Sequence, residues 1–138
     1  MAPVASELVG ELLTSGRQAS VLRELIVDYS RGARVLCSAL QKHPACFTLL
    51  SAPRGGFFAW IRLPDGLTAQ ALLPVAERHG VVFLPGDVCA PNDPAAAAHY
   101  IRLCFAYEEA EMIEEGVRRL AAAVEELRGR SGVPRSCN

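Results

Sequence analysis

Between Glu109 and Arg128, apolar residues recur at Ile113, Val117, Leu120, Val124 and Leu127, alternating steps of four and three. At 3.6 residues per turn that spacing draws a single apolar stripe along one side of a helix. Such a helix gains most of its stability from packing, so its stripe needs a second layer to cover it. The charges agree with the assignment. Glu108, Glu109 and Glu111 gather at the positive N-terminal end and Arg128 lies at the negative end. Glu114 with Arg118 and Glu115 with Arg119 are acid-first pairs four residues apart, predicted to form ion pairs on the wet side.

The covering layer is legible in shorter runs. Phe47 to Leu50 and Phe57 to Leu63 are apolar and aromatic-rich, and Pro53, Gly55 and Gly56 between them signal a turn, which predicts an antiparallel pair of strands. Two more strands are predicted at Val81 to Leu84 and Tyr100 to Phe105, joined by a long loop containing Pro85, Gly86, Pro91, Asn92 and Pro94. Three further helices are expected. One runs from Ala5 to Leu13, with Ser6 as N-cap and Ser15 and Gly16 as its end. A second carries the stripe Leu22, Leu25, Tyr29, Ala33, Leu36 and Leu40 until Pro44 closes it. The third starts at a Thr68 cap, runs to His79 and stops at Gly80, with a kink expected at Pro74.

The order α-α-β-β-α-β-β-α implies an α/β fold of the α+β type: a small, mostly antiparallel sheet covered by helices. Residues 1–128 are expected to form one domain, and residues 129–138, GRSGVPRSCN, a flexible tail.

With 14 basic and 15 acidic residues spread along the chain, the net charge is −1, which gives no electrostatic basis for nucleic acid or an anionic membrane surface. No apolar run approaches the roughly 18 residues of a membrane span. The start, MAPVASELVG, lacks the basic and apolar pattern of a signal peptide, so a cytoplasmic location is expected. The five cysteines are odd in number and form no CxxC pair, which predicts free thiols. His43, His79 and His99 lack metal-ligand spacing, and no metal site is expected.

Three segments suggest chemistry. In Tyr100-Ile101-Arg102-Leu103-Cys104-Phe105, period-2 alternation places Arg102 and Cys104 opposite Ile101, Leu103 and Phe105. A mid-strand guanidinium offers a planar fork matched to a carboxylate, and equally suits a wet sheet face. Gly55 and Gly56 open the strand that carries Phe58 and Trp60, which permits either a positive-φ turn or close approach of backbone to a ligand. Pro85-Gly86 opens the long loop in a similar way. No phosphate-binding glycine loop and no GxSxG nucleophile elbow is present.

Taken in order, LRELIVDY, PRGGFFAWIRLPDGLTAQAL, HGVVFLPGDV, YIRLCFA and IEEGVRRLAAAVEEL resemble the C-terminal small domain of class I/II, fold-type I aminotransferases. The likeness is greatest to the branch with 2-aminoadipate aminotransferases and MocR-like regulators, and covers about Ser6 to Leu127. The resemblance implies that Arg102 binds the α-carboxylate of an amino acid substrate, that Gly55, Gly56 and Phe58 form the site wall, and that Pro85 to Asn92 bear on specificity. It implies a pyridoxal 5'-phosphate enzyme moving an amino group from an amino acid to a 2-oxo acid, homodimeric at full length. The cofactor lysine, pyridinium-binding acid and phosphate cup belong to a large domain not found in this sequence, whose single lysine is Lys42 near the end of the second helix. No catalytic residue is therefore expected in this chain, and the chain alone is expected to be inactive. Two other outcomes fit the resemblance: a non-catalytic or regulatory remnant of the fold, as in a MocR-like effector domain, or another fold-type I lyase or synthase.

Overall fold

The computed structural model describes residues 3–131. Its elements are α1 (Pro3–Thr14), α2 (Arg17–Gln41), β1 (Thr48–Leu49), β2 (Phe58–Arg62), α3 (Ala69–Arg78), β3 (Leu84–Pro85), α4 (Gly86–Cys89), α5 (Pro94–Ala97), β4 (Tyr100–Cys104) and α6 (Ala110–Ser131). The four strands form one antiparallel sheet in the order β1-β2-β4-β3. This is the expected helix-covered antiparallel sheet.

One face of the sheet is dry. Ala59, Ile61, Ile101 and Leu103 point into a core closed by Leu36 and Leu40 of α2, Leu72 and Val75 of α3, and the α6 stripe Ile113, Val117, Leu120 and Val124. The step of four from Gly32 through Leu36 to Leu40 brings α2 against the end of β4, with Gly32 close to the backbone of Phe105. A Cβ built there would lie 2.6 Å from the Phe105 carbonyl oxygen. Gly116, in the middle of α6, would meet nothing within 4 Å. The same substitution is therefore expected to act in opposite directions. Gly116→Ala should stabilise by about 0.5–1 kcal/mol through helix propensity. In Gly32→Ala an overpacking cost of about 1–3 kcal/mol exceeds that gain. Urea midpoints of the two variants, one above and one below the parent, check this.

Several expectations need correction. α1 begins at Pro3, where the missing proline N–H costs nothing, so Ser6 lies inside the helix and does not cap it. The α2 stripe is buried only in its C-terminal half. Leu22 and Leu25 are exposed, as are Leu8, Leu12 and Leu13 of α1, because none of the described elements covers that end. β1 and β2 are shorter than the apolar runs that signalled them, and Val81 to Phe83 lie outside the sheet, with β3 limited to Leu84 and Pro85. The loop after β3 holds two one-turn helices, the second capped by the Asp93 side chain accepting from the Ala96 amide. Thr68 caps α3 as expected, accepting from the Ala71 amide at 3.3 Å, and Gly80 takes the left-handed φ of 73°. α3 is continuous across Pro74. α6 runs three residues past Arg128, so Gly129, Arg130 and Ser131 are helical; the rest of the expected tail lies outside the described residues.

The charges on α6 also re-pair. Glu115 holds both Arg118 and Arg119, while Glu114 reaches across to Lys42 at 3.0 Å. Arg128, placed by the sequence at the negative end of the helix, is only 4% exposed and donates to the Ala45 carbonyl at 3.0 Å. Hydrogen bonds from Arg118 and then Arg119 hold the Glu115 carboxyl down, from 4.5 to about 2. A depressed carboxylate contributes stability that is complete above its unfolded-state pKa and is lost as pH falls through the folded value. The pair should thus lose its contribution between about pH 4.5 and 2. Because these groups face water, the effect should shrink with added salt. Carboxyl NMR titration of Glu115 should show the low midpoint, moving back toward the usual range in Arg118→Gln.

Candidate functional site

The opposite face of the sheet is half-buried to exposed, and it carries the sequence-predicted arginine. In β4, Ile101 and Leu103 are buried, Arg102 is half-buried and Cys104 exposed, so the period-2 alternation holds. The antiparallel register sets Trp60 opposite Arg102, Phe58 opposite Cys104 and Arg62 opposite Tyr100, with Leu84 of β3 on the other side of Arg102. Paired residues in a sheet share a face, so these side chains form one surface.

Two ring contacts organise that surface. The Arg102 Cζ lies 4.0 Å from the centroid of the Phe58 ring. Trp60 and Tyr100 stack at 5.6 Å with an interplanar angle of 14°. Attraction to an aromatic face is worth about 0.5–1 kcal/mol at a partly wet site, and it occupies none of the guanidinium N–H donors. Seven other arginines of the chain lie within 4 Å of a carboxylate, from Arg31 with Asp28 to Arg130 with Glu126. Arg102 meets no carboxylate among the described residues. A cation held in position by a ring, with its hydrogen-bonding fork uncommitted, is suited to receive a carboxylate from outside the chain.

Of the sequence-predicted residues, Arg102 and Phe58 are brought into direct contact. Gly55 and Gly56, two and three residues before Phe58, lie off the end of the sheet. Gly56 takes a φ of 73°, and neither glycine would meet any atom within 4 Å if it carried a Cβ. Both line a cavity beside α2 whose walls do not include Arg102. In the segment Pro85 to Asn92, Gly86 is buried while Asp87 accepts from Gln70 Nε2 at 3.0 Å. Trp60 and Tyr100 were not singled out from the sequence. The signal was present in the alternation, since each is two residues from a nominated neighbour on the same face.

Apart from the Cys104 thiol, the remaining reactive groups do not converge on this face. Burial, with a hydrogen bond to Glu125 as a second cause, pushes the Cys46 thiol up to about 11. Hydrogen bonds from His79 and Arg78 lower the Glu126 carboxyl, tying α3 to α6. Cys37, Cys46, Cys89 and Cys104 are free thiols; Cys137 lies outside the described residues. Among the described residues, no group of three His, Cys, Asp or Glu side chains is placed to hold a metal ion, and no helix is long and apolar enough to cross a membrane.

No family model matches the chain. Individual proteins do. It is 35% identical over 120 residues to the 2-aminoadipate transaminase of Thermus thermophilus, an alignment covering 87% of this chain and 30% of that protein. It is 35% identical over 102 residues to aromatic-amino-acid aminotransferase 1 of Thermococcus litoralis, covering 73% and 24% of the two chains. The crystal structure of an alpha-aminoadipate aminotransferase from Thermus thermophilus, solved with N-(5'-phosphopyridoxyl)-L-leucine, superposes with a TM-score of 0.75 at 33% identity, over 89% of this chain and 31% of that one. The chain thus spans under a third of the length of these relatives.

Proposed function

Because this chain belongs to the fold-type I aminotransferases and corresponds to their C-terminal small domain, we propose that it supplies the substrate-carboxylate arginine of a pyridoxal phosphate-dependent transaminase. The reaction would move an amino group from an amino acid to a 2-oxo acid. The observation that carries this reading is Arg102: a guanidinium on the open sheet face, braced by Phe58 and meeting no carboxylate of the described chain.

Each residue of that face has a physical part. Arg102 would take the α-carboxylate with two parallel hydrogen bonds, fixing the substrate's orientation. Both reactants of a transamination carry that carboxylate, so one arginine serves each half of the reaction. Phe58 restrains the guanidinium, and the Trp60–Tyr100 stack beside it would exclude water and strengthen the ion pair. Gly55 and Gly56, without side chains, would leave the end of the sheet open as the site wall, and Pro85 to Asn92 would bear on side-chain preference.

The residues present do not fit the cofactor itself. The single lysine, Lys42, is exposed at the end of α2 and paired with Glu114 at 3.0 Å, which neither buries nor frees the amine. We assign pyridoxal phosphate to a large domain, in a cytoplasmic and homodimeric full-length enzyme. The exposed leucines of α1 and of the first turns of α2 are consistent with a surface that such a domain would cover.

The test is a domain exchange. Residues 3–131 replace the matching part of the Thermus 2-aminoadipate transaminase. Transamination by the chimera is the expected result. A folded chimera that retains cofactor absorbance yet moves no amino group would remove the reading.

A further inference from the structure

A second site borders the same glycine turn from the α2 side of the sheet and does not depend on Arg102. From Ile26 to Gln41 one side of α2 faces the turn formed by residues 52–56, and between them is a cavity of about 720 Å³. That volume is in the range of small-molecule sites, which are mostly apolar with a few placed polar groups. The helix spacing builds such a lining here. Tyr29, Ala33 and Cys37 recur in steps of four among the lining residues, buried Phe105 adds an apolar surface, and Ser30, Arg34 and Ser38 repeat the same step one position along.

The electrostatics are one-sided. Arg34 on the helix and Arg54 on the turn both line the cavity, and no aspartate or glutamate does. Neither arginine meets a carboxylate among the described residues, unlike Arg31, one turn away, which is held by Asp28 at 3.4 Å. Burial raises the pKa of the Cys37 thiol, so it stays neutral and adds no opposing charge. The mouth is open beside Gly55 and Gly56, where a Cβ would meet no atom within 4 Å.

We propose that this cavity is a binding site for small carboxylates with an aromatic or branched apolar body, the body on the Tyr29, Ala33 and Phe105 surface and the carboxylate between Arg34 and Arg54. A purely polar anion would leave the apolar floor wet, and a neutral hydrocarbon would leave both guanidinium groups unused. Phe105 and Arg102 differ in parity along the same stretch of chain, so the Phe105 side of the cavity and the Arg102 side chain lie on opposite sides of the sheet, with the glycine turn at its end.

The experiment is a titration of the full 138-residue chain with 3-phenylpropionate, read by backbone amide shifts, against its neutral counterpart 3-phenyl-1-propanol. Saturable shifts at Cys37, Gly55 and Gly56 are expected, with a dissociation constant on the order of millimolar for a ligand of this size at an open site. The alcohol, and the double variant Arg34→Gln with Arg54→Gln, should each bind about tenfold more weakly, as the loss of two exposed ion pairs implies. Arg34→Lys with Arg54→Lys should restore part of the difference. Arg102→Gln should leave the affinity unchanged. Equal binding of acid and alcohol, no saturation by about 20 mM, or indifference to Arg34 and Arg54 would each overturn the proposal. Binding that follows Arg102 would place the ligand on the open sheet face, sinking this inference while leaving the transaminase reading intact.

Discussion

Arg102→Gln, made in the chimera described above, is expected to lower kcat/KM by about 100- to 1,000-fold for amino acid and 2-oxo acid alike. Removing one partner of a desolvated, doubly hydrogen-bonded ion pair costs about 2–5 kcal/mol, and each 1.4 kcal/mol is tenfold. The loss should be shared by both substrates because the group recognised, the carboxylate, is common to them. Glutamine is uncharged but keeps the aliphatic stem and an amide N–H donor group, so most of what it removes is the charge and the fork. Arg102→Lys should recover only part of the activity, since an ammonium is a point charge without the fork. Phe58→Leu should fall between parent and Arg102→Gln, because the arginine would remain but lose its brace. Steady-state kinetics with both substrates, alongside a thermal melt to establish folding, are the measurement. A variant with glutamine at this position and unchanged KM for both substrates would leave the open face without its assigned role.

The second large effect is on stability. Gly86→Ala should destabilise the domain by about 2–3 kcal/mol, at the upper part of the range for overpacking. The added methyl would lie 2.4 Å from the Ala97 carbonyl oxygen and 2.7 Å from that of Tyr100. Both obstacles are backbone, one in the short helix α5 and one at the start of β4, so no side-chain rotation relieves the clash. The φ at Gly86 is not in the left-handed region, which makes this a question of space and not of backbone strain. The Pro85-Gly86 pair thus has a packing reason in its own right. A urea midpoint for Gly86→Ala matching the parent's would show that α5 can move aside, and would reopen a purely ligand-facing role for the pair.

The contrast among glycines shows how far sequence reading extends. Gly80 and Gly16 punctuate helices, and the place of Gly80 directly after a helix end calls for its positive φ. Gly32 carries no such signal: it sits inside a helical pattern and only the approach of the Phe105 carbonyl explains it. Gly86 reads as a turn residue and proves to be a contact between segments. The charged residues divide similarly. Glu115 and Arg119 lie four apart on one helix and pair as spacing requires, whereas Glu114 leaves its expected partner for Lys42, 72 residues away. Arg128 looks like a solvated helix end because nothing in the local sequence says that the Ala45 carbonyl will be beside it.

What the amino-acid order determined by itself was whatever backbone periodicity controls: the four long helices, the antiparallel pairing of the strands, and the face of β4 on which Arg102 stands. Side chains at steps of 3.6 or 2 are bound to their faces by covalent geometry alone. What only the tertiary structure decided was who meets whom across those faces. The ring under Arg102, the carbonyl against Gly32 and the separation of the glycine turn's cavity from the open sheet face depend on register and helix placement. Those are set by the packing of the whole core, to which each local segment contributes only a part.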